Sequence, residues 1–237
     1  MRLRRITNLN PTVSRTIVLL SFVLAMCWPL TVGHAADARD EQRLVDEATQ
    51  TFQRFIESPG LASWYVAQSK NIKAVFIVPK FVRGALLIGA AGGKGVLLAQ
   101  DFVHGGWSSP AFYGMSVASV GPQAGIDASE VVMILQTHAG LERFYGTGTV
   151  RLGVDAGLTL GPWGEGGTAG LDIVTFIWSK GLFGGISLDG LAIAAFDGSN
   201  EAYYGKPVKA EQILTTSTIS NHGADRLRAA VDRLITR

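Results

Sequence analysis

Glycine recurs within short runs of valine, isoleucine, leucine and phenylalanine between residues 72 and 195. Apolar runs that alternate with glycine-bearing turns are typical of consecutive antiparallel strands. Glycine weakens a strand unless the backbone has to bend or to approach another segment closely. We therefore predict a glycine-rich, strongly curved antiparallel β-sheet, either barrel-like or a sandwich. The predicted strands cover residues 74–78, 85–90, 95–100, 111–118, 123–126, 130–137, 149–159, 169–177 and 185–195.

Helical periodicity is confined mainly to the two ends of this region. Residues 40–58 repeat apolar side chains at spacings of three and four, which predicts an amphipathic helix with one apolar stripe. Further helices are predicted over residues 61–69, 141–145 and 224–235. Because no linker divides residues 36–237, we expect one α+β domain there, with amphipathic helices at its N- and C-terminal ends.

The first 35 residues have the three-part layout of a secretory signal peptide. Four arginines precede an almost uncharged apolar run over residues 16–32, and small residues follow at Gly33 and Ala35. We expect residues 1–35 to be removed and the protein to be exported, as a periplasmic or peripherally membrane-associated protein. A retained membrane anchor is the alternative, although the run of 17 residues is at the short end for a spanning helix. Cys27 lies in a segment that resembles a lipoprotein box with an ill-fitting Met26, so lipidation is a further alternative.

Removal of this segment would reverse the sign of the net charge. The segment holds four of the 21 basic residues and none of the 19 acidic ones, so residues 36–237 carry a net charge of −2. This value excludes nucleic-acid binding through a bulk positive field. The remaining chain would contain no cysteine, which excludes disulfides and thiolate chemistry.

The motifs that resemble catalytic or cofactor sites all depart from their patterns. GAAGGKG at residues 89–95 lacks the spacing and the Ser or Thr of a phosphate-binding loop. Residues 164–169 match G-x-G-x-x-A but precede strand-like rather than helical sequence. His104, His138 and His222 are not at metal-ligand spacing. The motifs therefore assign no catalytic residue, cofactor or metal, and an enzyme that uses a buried carboxylate in the curved sheet stays an alternative at this point.

Positive charge is concentrated in one acid-free window, residues 58–100. Its basic residues are Lys70, Lys73, Lys80, Arg83 and Lys94. Trp64 and Tyr65 lie in the same window, and such side chains favour the membrane–water interface. This pattern predicts a cationic face that binds anionic membrane lipids. The alternative is that the basic residues only keep an apolar hairpin soluble.

Five sequence motifs between residues 60 and 215 resemble, in order, those of the SYLF lipid-binding domain family, which includes the yeast actin-patch SYLF proteins. They are SKNIKAVFIVP with GALLIGAAGGKGVLL (69–79 and 84–98), WSSPAFY (107–113), SVGPQAG (119–125), SKGLFGGISLDG (179–190) and NEAYYGKPV (200–208). The resemblance implies a non-enzymatic module. Eukaryotic members bind phosphoinositide membranes, partly through an amphipathic helix at the start of the domain, and some bind actin; bacterial members are mostly exported.

The sequence departs from this family in its first helix, where residues 40–57 carry a net charge of −3. This sign is wrong for docking to anionic lipid, so we expect the helix to pack on the sheet instead. The predicted function is that of an exported protein that recognises anionic phospholipid or phosphoinositide-type headgroups. Actin is an unlikely partner for an exported protein, and the oligomeric state is left open. The alternative function is a structural outer-membrane β-barrel protein without a ligand.

Overall fold

In a computed structural model of the chain, the described residues are 37–85, 88–101, 105–120, 125–146, 148–152, 158–160, 173–179 and 191–233. They all belong to one compact unit, Ala36–Arg237. The predicted signal peptide and Cys27 lie outside the described residues, as does the glycine motif at residues 164–169. No described helix is long and apolar enough to cross a membrane.

Helices lie at both ends of the described chain and a sheet lies between them. The helices are α1 (Ala38–Glu57), α2 (Pro59–Gln68), α3 (His138–Glu142), α4 (Asp197–Tyr204), α5 (Ala210–Thr215) and α6 (Asp225–Asp232). The strands are β1 (Ala74–Ala85), β2 (Ile88–Ala99), β3 (Ala111–Val120), β4 (Gly125–Leu135), β5 (Val150–Arg151), β6 (Leu158–Leu160), β7 (Ile173–Ser179) and β8 (Ala192–Ala195). Short 3₁₀ turns, Ser69–Asn71 and His222–Ala224, precede β1 and α6.

The strands form a single curled sheet in the order β5-β8-β3-β2-β1-β4-β7-β6. All neighbouring strands are antiparallel except β6 and β7, which are parallel. The α+β class, the curved antiparallel sheet and the helices at both ends are therefore confirmed. The sheet is a half-barrel, which agrees with the barrel-like form of the prediction.

Several predicted strand boundaries are wrong. Residues 85–90 are not one strand, because β1 ends at Ala85 and β2 begins at Ile88. Residues 123–126 and 130–137 were predicted as two strands, whereas one continuous strand, β4, runs from Gly125 to Leu135. The predicted strand over residues 149–159 corresponds to β5 and β6, which lie at opposite edges of the sheet. The helices α4 and α5 were not predicted.

Side chains alternate between the two faces of the sheet, and each face has its own hydrophobic core. The helical face carries Val75, Ile77, Val96, Leu98 and Ile134, which pack against α1, α2 and α6. The opposite face packs against α3 and α5. Its core includes Phe76, Tyr113, Met133, Phe144 and Ile213. Burial of both faces therefore explains why residues 74–78 of β1 and 96–99 of β2 are continuously apolar in sequence.

Helix α1 is fixed to the helical face by its apolar stripe and by two ion pairs. Val45, Phe52 and Phe55 are buried, which confirms the expectation that this helix packs on the sheet. At its start Glu41 accepts a hydrogen bond of 2.7 Å from Lys94 of β2. Near its end Arg54 donates two hydrogen bonds, of 2.6 and 3.2 Å, to the carboxylate of Glu130 of β4. In the first pair the helix supplies the acidic side chain, whereas in the second it supplies the basic one. The two pairs therefore also fix the direction of the helix across the strands.

An irregularity in the middle of β1 explains two of the glycines of β2. The register of β1 shifts between Ile77 and Lys80 against β2, and between Val78 and Phe81 against β4. A bulge of this kind bends the strand. Gly95 faces the displaced backbone: a Cβ atom there would collide with the Ile77 carbonyl oxygen and lie 2.7 Å from a methyl carbon of Val78. The close approach of the two strands at this point therefore requires glycine.

We expect Gly95→Ala to destabilise the fold by about 2 kcal/mol or more, because backbone rather than a flexible side chain would have to move. Gly84→Ala is the matched control, since nothing lies within 4 Å of a Cβ atom at that position of β1. Its effect should stay within about 0.5 kcal/mol. Urea unfolding followed by circular dichroism measures both values, and equal stability of the two variants would contradict the close approach at the bulge.

We also expect the Glu41–Lys94 pair to contribute to stability. The Glu41 side chain is 1% exposed, and its second carboxylate oxygen has no partner among the described residues. Removing one partner of a fully buried pair costs roughly 3–5 kcal/mol. Because Lys94 is 35% exposed, we expect Lys94→Met to cost less, about 2 kcal/mol.

Lys80→Met is the control for this prediction, because Lys80 is exposed directly opposite Lys94. The double variant Glu41→Gln/Lys94→Met should recover much of the loss, since no unpaired carboxylate would remain buried. Chemical unfolding of the unchanged protein, Glu41→Gln, Lys94→Met and the double variant measures the coupling energy. Additive losses in the double variant would show that the pair does not stabilise the fold.

Candidate functional site

The helices cover only part of the helical face. Beyond the bulge, directly opposed residues on this face continue as Lys80 with Lys94, Val82 with Gly92, and Gly84 with Ala90. We define the open face as this uncovered section of β1 to β4. Its exposed members in the described chain are Lys80, Val82, Gly84, Ala90, Ser116 and Ala128. Apart from Lys80 and Val82 these exposed members are small residues.

Phe196 forms one border of the open face. It follows β8, and its backbone N–H donates a hydrogen bond of 2.8 Å to the Phe112 carbonyl oxygen. Its ring lies against Gly114 of β3, at a place where a Cβ atom would collide with the ring. Phe196 is nevertheless 42% exposed and Val82 is 37% exposed. Two large apolar side chains thus reach solvent at this surface.

Lys94 connects the border to the start of α1. Its ammonium group lies 5.7 Å from the centroid of the Phe196 ring, which is a favourable distance for a cation above an aromatic face. The same group is hydrogen-bonded to Glu41. Lys80 lies directly across from Lys94 on β1. Like charges in this position repel each other, and Glu41 offsets this repulsion for one of the two.

The structure does not bring all five predicted cations together. Lys80 and Lys94 are on the open face. Lys70 is exposed in the 3₁₀ turn before β1, and Lys73 is half-buried at the start of that strand. Arg83 is 9% exposed and lies between exposed neighbours of β1, which places it on the opposite face. The idea of one cationic face over the whole window is therefore wrong, because β1 separates its members along its length and across its two faces.

The two predicted interface aromatics pack inside the protein. Trp64 is half-buried, and its ring lies 5.0 Å from that of Phe176. Tyr65 is fully buried between Phe52 and Phe55, and its hydroxyl donates a 3.4 Å hydrogen bond to the Val231 carbonyl oxygen. Burial raises the pKa of the Tyr65 phenol above its ordinary value. The prediction that Tyr65 lies at a membrane interface is therefore wrong, since no part of its ring reaches the surface.

Sequence reasoning missed Val82 and Phe196. Val82 lies within the predicted basic window, and period-two alternation along β1 places it on the same face as Lys80 and Gly84. Phe196 comes after the last apolar strand, and its exposure depends on the pairing of β8 with β3. No local pattern in the sequence could have revealed that pairing.

The described residues contain no group of three or more His, Cys, Asp or Glu side chains that could hold a metal ion. The ion pairs at the open face instead join elements of the fold. Lys80 and Lys94 lie on this surface beside two exposed apolar side chains, those of Val82 and Phe196. Lys94 is also paired with Glu41. Such a surface can attract an anionic partner and bury apolar area against it.

A family model described as "Ysc84: Las17-binding protein actin regulator" matches residues 116–234, half of the chain. The match includes Phe196 but begins within β3, after the two lysines of the open face.

Curated relatives cover more of the chain at low identity. SH3 domain-containing YSC84-like protein 1 of Homo sapiens is 26% identical over 210 residues, which is 86% of this chain and 60% of the relative. LAS seventeen-binding protein 3 of Saccharomyces cerevisiae is 32% identical over 154 residues, 62% of this chain and 33% of the relative. Protein YSC84 of the same yeast is 30% identical over 154 residues. The chain therefore spans 60% of the length of the human relative and about a third of the yeast ones.

The family match covers three of the five sequence motifs. The SVGPQAG, SKGLFGGISLDG and NEAYYGKPV segments lie within or overlap residues 116–234, and the relatives extend the similarity toward the N-terminus. On these grounds the chain belongs to the Ysc84 family, which is the SYLF family that its sequence motifs resemble.

Proposed function

We propose that this protein binds anionic membrane lipid through its open face. The observation that supports this proposal is the exposure of Val82 and Phe196 beside Lys80 and Lys94 on a part of the sheet that no described helix covers. Lys80 has no described acidic side chain opposite it in the register of β1 and β2. Its charge is therefore available to a lipid phosphate.

The expected affinity is modest. A lysine near an anionic bilayer contributes about 1 kcal/mol, and Lys94 should contribute less because Glu41 already neutralises part of its charge. Complete burial of a valine or phenylalanine side chain adds about 1.5–3 kcal/mol. Val82 and Phe196 are 37% and 42% exposed, so each can add only a fraction of that value. Binding should thus be weak and sensitive to salt.

Helix α1 is not part of the proposed lipid surface. The side of the helix that could enter a bilayer is buried, since Val45, Phe52 and Phe55 lie in the core of the helical face. Its exposed side includes acidic residues such as Asp40 and Asp46. Both observations support a lipid contact through the sheet rather than through an N-terminal amphipathic helix.

The proposal also includes the compartment in which the protein binds lipid. Residues 1–35 act as a signal peptide, and the protein meets lipid as an exported, non-enzymatic protein. Actin, which the family description names, is not the proposed partner, because an exported protein would not meet it. Anionic phospholipid is a partner that the exported compartment offers.

We expect the protein to co-sediment with phosphatidylglycerol vesicles at low salt and to dissociate at high salt, while phosphatidylcholine vesicles bind it weakly. Lys80→Glu should reduce the partition coefficient about tenfold, because the reversal removes one favourable contribution of about 1 kcal/mol and adds a repulsive one. Lys94 is left unchanged, since its loss would also unpair Glu41.

Lys206→Glu is the matched control. Lys206 is an exposed lysine that follows α4, so its reversal makes the same change of net charge at a position outside the open face. Its vesicle binding should stay close to that of the unchanged protein. Equal loss in the two variants would assign the effect to net charge alone, and equal binding to both kinds of vesicle would refute the proposal.

A further inference from the structure

A concave site lies where β2 ends. A cavity of about 350 Å³ is lined by the segment that follows β2, by Tyr145 after α3, by the segment that follows α5, and by Arg228 of α6. This volume is in the range of small-molecule sites. Gln100 at the cavity lies six positions along the chain from Lys94, which corresponds to about 20 Å of extended chain. The cavity is therefore distinct from the open face and does not depend on the function proposed for it.

The loop after β2 places Trp107 at this cavity. Gly105 and Gly106 have φ angles of 78° and 85°, which favour glycine, and the Asp101 N–H donates a 2.9 Å hydrogen bond to the Gly106 carbonyl oxygen. Beyond these contacts, Trp107 forms a bridge with Gln100. Trp107 is 3% exposed, and its indole N–H has no hydrogen-bond partner among the described residues. A buried donor of this kind needs an acceptor.

Arg228 supplies positive charge next to the indole. Its Nε donates a 3.0 Å hydrogen bond to the Trp107 carbonyl oxygen, which holds the guanidinium group against the same loop. Its Nη1 lies 3.9 Å from Asp225 Oδ1, which is beyond hydrogen-bond distance. The side chain is 40% exposed. The guanidinium can therefore bind an oxyanion while its Nε stays engaged.

Hydroxyl groups make up much of the remaining wall. Ser109 is buried, and Ser217 and Ser220 line the cavity from the segment after α5. Burial and the carboxylates of Glu142 and Glu211 raise the pKa of the Tyr145 phenol, so it is protonated and can donate. Asp101 is the acidic side chain among the described lining residues. A carboxylate disfavours a bare anion but accepts hydrogen bonds from ligand hydroxyl groups.

We propose that this cavity binds a phosphorylated polyol of the size of a glycerol phosphate or a sugar phosphate. The phosphate lies against the Arg228 guanidinium, and the hydroxyl groups of the ligand lie against the serines and Asp101. The polyol part of the ligand explains a wall that contains hydroxyls and one carboxylate rather than several cations. A free phosphorylated polyol and a glycerophospholipid headgroup share this chemistry.

The test uses the purified chain labelled with ¹⁵N and sn-glycerol 3-phosphate as the probe. Trp107→Phe keeps the aromatic packing but removes the N–H, so the missing indole resonance identifies Trp107. In the unchanged protein this resonance should shift saturably with glycerol 3-phosphate. Glycerol and inorganic phosphate should each bind at least tenfold more weakly. Calorimetry should show a loss of affinity of about fivefold or more in Arg228→Gln.

Controls separate this site from the lipid surface and from misfolding. Lys80→Gln should bind glycerol 3-phosphate unchanged, because the open face is not involved. Ser217→Ala lies on an exposed segment and should weaken binding without a change in thermal stability, which covers the case that a Trp107 or Arg228 variant does not fold. A shift caused by phosphatidylglycerol vesicles but not by free glycerol 3-phosphate would support the ligand chemistry and identify a lipid headgroup as its source.

Three results would overturn the proposal. The first is an indole resonance of Trp107 that responds to neither probe. The second is unchanged affinity in Arg228→Gln and Ser217→Ala. The third is equal binding of inorganic phosphate and glycerol 3-phosphate, because this would leave no role for the hydroxyl groups of the ligand.

Discussion

The ion pair between Glu41 and Lys94 determines where the helical cover of the sheet begins. Glu41 is in the first turn of α1 and is almost completely buried, so this turn cannot move along β2 without leaving its carboxylate unpaired. The second pair, Arg54 with Glu130, fixes the other end of the helix on β4. On the helical face, the strand residues that α1 covers lie in the core, and those beyond the Glu41–Lys94 pair form the open face. The buried carboxylate of Glu41 thus determines which part of the sheet stays available to a partner.

The bulge in β1 has a comparable effect on which side chains reach that surface. A regular strand would place residues 78 and 80 on the same face, but Val78 is buried on the opposite face while Lys80 is exposed across from Lys94. The extra residue moves Lys80 to the helical face and Phe81 into the opposite core. Gly95 and Gly93 allow β2 to follow this displaced backbone. These glycines of β2 are therefore needed both for the curvature of the sheet and for the position of Lys80 on the open face.

The sequence was sufficient for features that depend on local periodicity. The apolar stripe of residues 40–58 predicts α1 closely, and the glycine-bearing apolar runs predict the curved antiparallel sheet. The strand ends were less predictable, because Gly89, Gly92 and Gly93 resemble turn residues but lie within β2. The helices α4 and α5 are short, and their stability depends on contacts such as the bond from the Phe112 N–H to Asn200. Tertiary contacts of this kind leave no local signal.

The predicted residues do not share one surface, partly because side chains alternate between the two faces of a strand. Lys80 and Arg83 are three residues apart in one strand, so they face opposite sides of the sheet. Trp64 and Tyr65 are adjacent in a helix and point about 100° apart, and α2 buries the second of them completely. Clustering in sequence is therefore a poor guide to clustering on a surface when the segment is a strand or a packed helix. Of the predicted cationic window, Lys80 and Lys94 beside the bulge lie together on the open face.

The two candidate sites draw on different parts of the chain. The lysines of the open face come from β1 and β2, before the family match begins at residue 116, whereas Phe196 and Arg228 lie inside it. The cavity combines Trp107 from the WSSPAFY motif with elements close to the end of the matched region. Both sites thus join N-terminal and C-terminal halves of one unit, and neither could exist in a fragment limited to residues 116–234. The complete sheet with its helical ends is therefore the smallest part of this chain that carries either site.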